Sequence, residues 1–279
     1  MTLKIPKNFR GIDGRKELER ILNEIPKENN NSYVEVKSTI NPISIQEHDK
    51  YEYFFAGENE YNLYKNFVEK NFSKKQDKGL QTLDNLAKPE LKDKLFKGSS
   101  SYINSAMNMA LRENNSDIYV VTQAQLEYVF QNNILDLKNN YSDTGMCLRT
   151  DSGNNETFAK DLVKQLGKNP NLPVYLPVIS YDLIKDASDN LSFKIIDVNK
   201  IINVPMLNST DGKFDNSDID LLTGFPNQLN PNGTRNFWTT NLGLSRCYLG
   251  RNSGLCSINS NLSNSDDIGR VVLAKLRRS

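Results

Sequence analysis

The C-terminal segment between Thr239 and Ala274 contains no Lys, Glu, Gln, Met or Trp. All of its residue types can be encoded by codons that differ from an asparagine codon only at the two adenines, whereas the five missing types cannot. Leucines recur through the segment, namely Leu244, Leu249, Leu255 and Leu262, and a Val-Val-Leu run closes it. Stretches rich in Asn, Ser and Gly are often plain loops. Regularly spaced leucines anchor short turns, however, and favour a buried framework here.

This framework divides the segment into constant positions and exchangeable positions. We expect the leucines to be buried and the chemically unrelated side chains between them to point into solvent, where exchanging one costs about 0.5 kcal/mol or less. The exchangeable positions are Cys247, Tyr248, Gly250, Arg251, Asn252, Cys256, Ile258, Asn259, Asn261, Asn264, Asp266, Asp267 and Ile268. The irregular backbone needs hydrogen-bond partners. The expected partners are Ser245, Ser257, Ser263 and Ser265, or Arg246 and Arg270.

Three motifs frame the segment: Phe237-Trp238-Thr-Thr, Gly243-Leu-Ser-Arg246 and Gly269-Arg270-Val-Val. With them, the ending resembles the variable region of diversity-generating retroelement variable proteins. In that family an error-prone reverse transcriptase rewrites adenines in the 3′ end of one gene, and the encoded region lies on a C-type-lectin-like fold. The resemblance is specific over the C-terminal segment and looser over residues 105–279.

The resemblance implies an α+β protein with a C-type-lectin-like, ligand-binding domain at residues 105–279 and a variable region at about 239–270. A smaller mixed α/β region of unknown role would occupy residues 1–100. The exchangeable positions would contact a protein or cell-surface ligand, and the protein would not be an enzyme. Tyr248 is the one large aromatic among those positions, whereas strong binding faces carry several. A polar epitope and a modest affinity are therefore expected.

The composition suits a globular chain and argues against several function classes. Hydrophobic residues make up 37% of the chain and charged residues 25%, as in ordinary folded domains. A net charge of +1 gives no field that would attract nucleic acid or a membrane surface. No apolar run approaches the roughly 18 residues of a membrane span, and the start lacks the apolar core of a secretory signal. A cytoplasmic or virion-associated protein, or export without a cleaved signal, is expected.

Three Cys and one His leave little room for metal or nucleophilic chemistry. No CxxC or Cys/His cluster is present, which argues against a structural zinc site. A single His argues against a His-dependent catalytic triad, and glycine-rich phosphate loops are absent. We therefore expect no cofactor and no metal.

Local hydrophobic patterns predict alternating helices and strands. Helical spacing of apolar residues predicts helices at Gly14–Asn23, Glu47–Phe72, Tyr102–Arg112, Gln123–Phe130 and Glu156–Leu166. Thr122 and Gln125 are spaced as the capping box of the helix Gln123–Phe130. Short β-prone runs predict strands at Ser32–Ile40, Ile118–Val121, Met146–Arg149, Val174–Ser180, Leu191–Ile196 and Val198–Val204. We expect short exposed helices at Leu80–Phe96, a linker at Gly98–Ser101 and a long polar loop at Asn208–Asn236.

Short acidic patterns leave other functions open. Glu35-Val-Lys37 on a predicted strand matches half of the PD-(D/E)xK nuclease signature, in which two carboxylates hold Mg²⁺ and the Lys positions the attacking water. Asp13 would be the second acid. The same triplet is common on exposed strands, so a Mg²⁺-dependent nuclease is the alternative function and not the favoured one.

Two further acidic patterns are weaker. Four aspartates could bind Ca²⁺ through oxygen ligands, namely Asp211, Asp215, Asp218 and Asp220. Their spacing does not match an EF-hand loop, and a solvated polar loop is favoured. Glu58-Asn-Glu60 matches the paired glutamates of ADP-ribosyltransferases, but the upstream Arg and the Ser-Thr-Ser strand of that family are not evident.

A double substitution tests the nuclease alternative. We expect that neither the parent chain nor the Glu35→Ala, Lys37→Ala variant cleaves plasmid DNA with Mg²⁺, and that both bind ligand equally, because the N-terminal strand is not expected to carry the function. A nicking assay followed on agarose gels measures the cleavage. Cleavage by the parent chain that disappears in the double variant would establish the enzyme.

Overall fold

The computed structural model describes residues 48–72, 85–185, 191–239 and 242–277, with the backbone of residues 8–9 and 12–13. The chain divides into two compact units, residues 1–37 and 38–279. In the first unit, β1 (Asn8–Phe9) pairs with β2 (Ile12–Asp13) in an antiparallel hairpin. The predicted helix Gly14–Asn23 and the predicted strand Ser32–Ile40, which carries Glu35 and Lys37, lie outside the described residues.

The second unit is a mixed α+β structure, as predicted. Its helices are α1 (Glu58–Asn71), α2 (Ser101–Glu113), α3 (Gln123–Gln131) and α4 (Glu156–Leu166). Its strands are β3 (Tyr51–Phe55), β4 (Glu90–Lys92), β5 (Leu95–Lys97), β6 (Ile118–Val120), β7 (Ser142–Leu148), β8 (Val174–Pro177), β9 (Tyr181–Lys185), β10 (Leu191–Ile195), β11 (Ile202–Asn203), β12 (Gly212–Phe214), β13 (Ile219–Asp220), β14 (Phe225–Pro226), β15 (Arg235–Trp238), β16 (Leu244–Leu249), β17 (Leu255–Cys256) and β18 (Val272–Leu276). None of the helices in the described ranges is long and apolar enough to cross a membrane.

The largest sheet has seven strands in the order β11-β8-β7-β16-β17-β15-β12. Its neighbours run antiparallel except for β15 and β17, which are parallel. At its centre β16 pairs with β7, so that Leu244 lies opposite Leu148 and Leu249 lies opposite Ser142. The C-terminal segment therefore supplies strands to the middle of the sheet and is not a slack loop.

A three-stranded sheet places the closing strand β18 between β3 and β6, antiparallel to both. The predicted helix Glu47–Phe72 is wrong over its first part, because Tyr51–Phe55 is a strand and α1 begins only at Glu58. Aromatics at every second position of this strand fit a period of two, and pairing with the distant β18 selects that conformation. The aromatic residues of the longer stretch have mostly helical spacing, and the short part with a period of two was therefore predicted as helix as well.

The region on either side of Pro89 also differs from the prediction. Residues 85–87 form one helical turn, and β4 and β5 then pair as a hairpin instead of continuing as helix. The Gly98–Ser101 segment is not an exposed linker, since its three serines are fully buried. Ser100 is the N-cap of α2, and its hydroxyl accepts a hydrogen bond from the Ile103 amide. Residues 85–101 belong to the same compact unit as the later strands, while the role of residues 1–100 stays a prediction.

Several local predictions are confirmed. Helices α2, α3 and α4 lie within a residue or so of their predicted bounds, as do β6 and β10. The predicted capping box of α3 is present, with Thr122 and Gln125 bonding to each other's backbone amides. The predicted strand Met146–Arg149 was too short at its start, since β7 begins at Ser142. The predicted strand Val174–Ser180 was too long, since β8 ends at Pro177 and a 3₁₀ turn follows.

The central sheet is buried on both faces. Met146 and Leu148 of β7 pack in a cluster that includes side chains of α1, α2 and α4. The alternate residues Cys147 and Cys247 pack in a second cluster on the other side. Both faces of the sheet are therefore excluded from water, unlike an antiparallel sheet with one solvated face.

The predicted polar loop Asn208–Asn236 covers this second face. It contains the short strands β12, β13 and β14 and contributes Phe214, Ile219 and Phe225 to the second cluster. These three side chains are widely spaced among polar residues, so no periodic pattern marked them as core. The prediction of a plain loop was wrong for this reason.

Two substitutions test the framework. We expect Leu255→Ala to lower the free energy of unfolding by about 2–5 kcal/mol, because it leaves a cavity between the strands. We expect Asn252→Ala, at an exposed position three residues away, to change it by about 0.5 kcal/mol or less. Urea unfolding followed by circular dichroism measures both. Similar small losses in the two variants would contradict a buried framework.

Candidate functional site

The framework leucines of the C-terminal segment are buried, as predicted, with at most 3% of their surface exposed. Leu244 and Leu262 lie in one core cluster, Leu255 in a second and Leu249 in a third. The segment therefore connects three parts of the core, and its backbone path is set at each leucine.

The exchangeable positions fall into three groups. Six are exposed: Arg251, Asn252, Asn261, Asn264, Asp266 and Asp267. Five are half-buried: Tyr248, Gly250, Ile258, Asn259 and Ile268. The last two, Cys247 and Cys256, are buried.

The expectation that Cys247 and Cys256 face solvent is wrong. Cys247 lies in the second core cluster because the sheet is covered on both faces. Cys256 is 5% exposed and contacts Tyr248. Burial raises the pKa of both thiols above the ordinary value for cysteine, so both stay protonated near neutral pH. Surface recognition would therefore use the exposed and half-buried groups.

The glycines of the segment also divide into positions with no room for a side chain and a position with room for one. A Cβ at Gly254 would lie 2.5 Å from the indole of Trp238, and one at Gly269 would lie 2.6 Å from a backbone nitrogen. Gly243 has a φ of +77° and a backbone oxygen 2.3 Å from a Cβ there. At Gly250, by contrast, the nearest atom is a carbonyl oxygen at 3.3 Å, and φ is not in the left-handed region. A side chain at this exchangeable position requires only a slight shift of a surface turn.

A buried ion pair anchors β16 to β7. The Arg246 guanidinium donates to both carboxylate oxygens of Asp143, from Nε to Oδ1 at 2.7 Å and from Nη2 to Oδ2 at 2.6 Å. Nη2 also donates to the Ser99 carbonyl at 3.1 Å. The guanidinium lies over the rings of Tyr141 and Tyr248, 5.5 and 5.1 Å from their centroids. The bidentate geometry satisfies both buried charges.

A second buried arginine donates hydrogen bonds to hydroxyl groups in separate parts of the segment. Arg149 donates to the side-chain oxygens of Ser245 at 2.9 Å, Thr239 at 2.8 Å and Ser257 at 2.6 Å. Its Nε donates to the Leu207 carbonyl at 2.9 Å. One guanidinium, on the residue directly after β7, thus holds the start and the middle of the segment together.

A third buried arginine attaches the turn between β16 and β17 to α3. Arg235 donates to both carboxylate oxygens of Glu127, at 2.7 and 2.8 Å, and from Nε to the Ser253 carbonyl at 2.7 Å. Its guanidinium also lies 4.8 Å from the centroid of the Phe130 ring. Glu127 and Phe130 are in α3, so this one side chain fixes the turn relative to that helix.

The predicted hydrogen bonds to the backbone of the segment are present in part. Ser245 donates to the Ser257 carbonyl within the segment. Ser257 donates to the Trp238 carbonyl and Ser265 accepts from the Ser99 amide at 2.9 Å, both outside the segment. Arg270 donates to two backbone carbonyls at 2.7 and 2.8 Å. Ser263 instead bonds to two asparagine side chains.

The exposed turn Gly250–Ser253 forms one wall of a pocket of about 490 Å³. The opposite wall is the end of α3 and the loop that follows it, up to Lys138. At the rim, Nη2 of Arg251 lies 3.6 Å from Oδ2 of Asp266. Two exchangeable positions from separate turns therefore lie in contact beside the pocket. The volume of the pocket is ordinary for a small-ligand site.

The acidic patterns outside the segment serve local structure. Four loop aspartates each accept a hydrogen bond from a backbone amide at 2.7 to 2.9 Å: Asp211, Asp215, Asp218 and Asp220. Glu60 accepts from the Gly57 amide at 2.8 Å and caps the start of α1. In the part of the chain that the structure describes, no three His, Cys, Asp or Glu side chains are grouped as a metal site.

The groups that hold the site together could not be identified from the sequence pattern. Asp143, Glu127, Arg149 and Arg235 gave no signal beyond a charged residue in or beside an apolar run. Their partners lie far away in the chain, 103 residues for the Asp143 pair and 108 residues for the Glu127 pair. Only the folded arrangement of strands brings them together.

Comparisons with protein-family models, with curated proteins and with solved structures find no match for this chain. Its function must therefore be inferred from the site and not from relatives.

Removing one charge of the central ion pair tests the anchor. We expect Arg246→Met to lower the free energy of unfolding by about 3–5 kcal/mol, because the Asp143 carboxylate stays buried without its partner. The double variant Arg246→Met, Asp143→Leu should regain most of that loss, since both charges are gone. Guanidinium unfolding measures the three proteins. A double variant less stable than the single one would contradict the assignment of the loss to an uncompensated charge.

Proposed function

We propose that this is a ligand-binding protein whose C-terminal surface is diversified by adenine-directed, retroelement-encoded mutagenesis, so that different copies recognise different protein or cell-surface targets. The observation that carries the proposal is the division of one segment into a buried framework and a set of solvent-facing positions. Recognition, and not catalysis, would be the activity of this surface.

The sequence pattern and the burial pattern agree on this division. Six exposed and five half-buried positions make eleven of the thirteen positions expected to be exchangeable. The framework leucines, three framework glycines and Arg246 are buried. The positions that the residue types marked as exchangeable are thus mostly the positions that reach the surface. This agreement favours a surface on which exchange of side chains has been selected.

Physical tolerance supports the same function. A surface can vary extensively only if its backbone does not depend on the side chains that vary. Here the backbone is held by leucines and by Arg149, Arg235 and Arg246, whose main partners include Glu127 and Asp143 outside the segment. Exchange of the six exposed side chains leaves all of these contacts in place and removes local hydrogen bonds, among them those from the Ser263 amide to Asn261 at 3.3 Å and from the Ile268 amide to Asp266 at 3.2 Å.

A C-type-lectin-like arrangement of residues 105–279 is part of the proposal. Helices α2 and α3 precede the short strands of the main sheet, and an irregular stretch then leads into the closing strand β18 after Gly269-Arg270. This order agrees with the plan in which loops carried by a rigid scaffold contact the ligand.

The surface favours a polar target. Arg251, Asp266 and Asp267 are exposed charges, and Tyr248 adds one half-buried aromatic. A face of this kind suits a hydrated protein epitope better than an apolar groove, and it predicts moderate affinity for this particular copy.

Deep sequencing of the 3′ end of the gene and its downstream region in the natural population tests the proposal. We expect a near-copy of codons 239–274 beside a reverse-transcriptase gene, with differences confined to adenines of that copy. Because framework residues are buried, variants should keep Leu244, Arg246, Gly254 and Gly269. An invariant 3′ end with no such copy would overturn the proposal.

A further inference from the structure

The pocket beside the turn Gly250–Ser253 has two walls of different origin. One wall includes three exchangeable positions, Gly250, Arg251 and Asn252, of which the last two are exposed. The other wall, from Phe130 to Lys138, lies outside the C-terminal segment. A ligand in this pocket would touch one surface that varies and one that stays constant.

The two walls are held at a fixed separation before any ligand arrives. Arg235 donates to the Ser253 carbonyl on one wall and to Glu127 of α3 behind the other, and its guanidinium packs on Phe130. The turn is closed further by a hydrogen bond from the Gly250 amide to the Gly254 carbonyl at 2.7 Å. Because both walls are already held in place, ligand binding to this pocket costs little conformational entropy.

Apolar side chains line the interior of the pocket: Phe130, Leu135, Leu137 and Leu249. Leu137 and Leu249 are almost fully buried beneath it. An interior of this kind favours an aliphatic or aromatic side chain, and the volume of about 490 Å³ admits one or two such groups.

The charges at the rim favour a carboxylate next to that side chain. Arg251 and Lys138 are exposed cations on opposite walls. Asp136 is the acidic residue among the lining groups, so the two cations and one anion of the lining carry a net charge of +1. The ion pair of Arg251 with Asp266 is exposed on both sides and therefore weak, so an incoming carboxylate can replace Asp266 at small cost.

We propose, as an extension of the proposed function, that this pocket binds an apolar side chain adjacent to a carboxylate on a protein target. Lys138 gives every copy one cation that can pair with the carboxylate, and the residue at position 251 adjusts the affinity from copy to copy.

N-acetyl-leucine and N-acetyl-leucinamide provide matched probes, because they differ only in the carboxylate. Two-dimensional amide NMR of the full chain follows each titration. We expect N-acetyl-leucine to shift the amides of Gly250–Ser253 and Asn133–Lys138 and to bind about threefold or more tightly than the amide at low salt, with the difference shrinking as salt screens the rim charges.

Variants at the rim identify the groups responsible. Arg251→Ala and Lys138→Ala should each weaken binding of N-acetyl-leucine about two- to fivefold, as for exposed ion pairs, and leave the amide probe unchanged. Asp266→Asn should strengthen it by releasing Arg251. Lys164→Ala, an exposed lysine of α4 that does not line the pocket, is the control and should change neither probe.

Equal affinities for the two probes, shifts elsewhere on the protein, or no shifts from N-acetyl-leucine would each overturn the pocket proposal. These outcomes leave the sequencing test of diversification unaffected, since that test does not depend on where the ligand binds. An invariant gene with a carboxylate-selective pocket would instead retain the binding site and refute its diversification.

Discussion

The bidentate ion pair of Arg246 with Asp143 constrains the rest of the structure because neither charge can be buried without the other. Both side chains are almost inaccessible to water, and an uncompensated charge there would cost several kcal/mol. Arg246 also bonds the Ser99 carbonyl, next to the N-cap of α2. One guanidinium therefore sets the position of β16 relative to β7 and of both strands relative to the helix that packs on them.

Two other guanidinium groups extend this arrangement to the start and the middle of the C-terminal segment. Arg149 collects three hydroxyl groups of the segment, and Arg235 attaches its exposed turn to α3. Arginine suits this role because its planar head offers several donors in fixed directions. The result is a rigid base under the exposed side chains of the segment, which is the arrangement that recognition by exchangeable residues requires.

The predictions that succeeded and those that failed differ in the range of the interactions involved. The bounds of α4 and the capping box at Thr122 follow from contacts within a few residues, and the sequence pattern was sufficient. The strand Tyr51–Phe55 and the buried Gly98–Ser101 segment depend on partners in the last forty residues of the chain. Local spacing carries no information about such partners, so these two were predicted as helix and as linker.

By itself, the sequence determined the α+β class, most of the helices and the burial of the four framework leucines in the C-terminal segment. A repeated leucine among small polar residues suffices for that, because burial of large apolar side chains dominates folding. Tertiary structure alone decided that Cys247 is buried, since the chain from Asn208 to Asn236 covers a face that a single strand cannot reveal. It also decided that Cys256 is buried, in contact with Tyr248. It also decided the three buried arginine contacts and the pocket, because these join residues about a hundred positions apart.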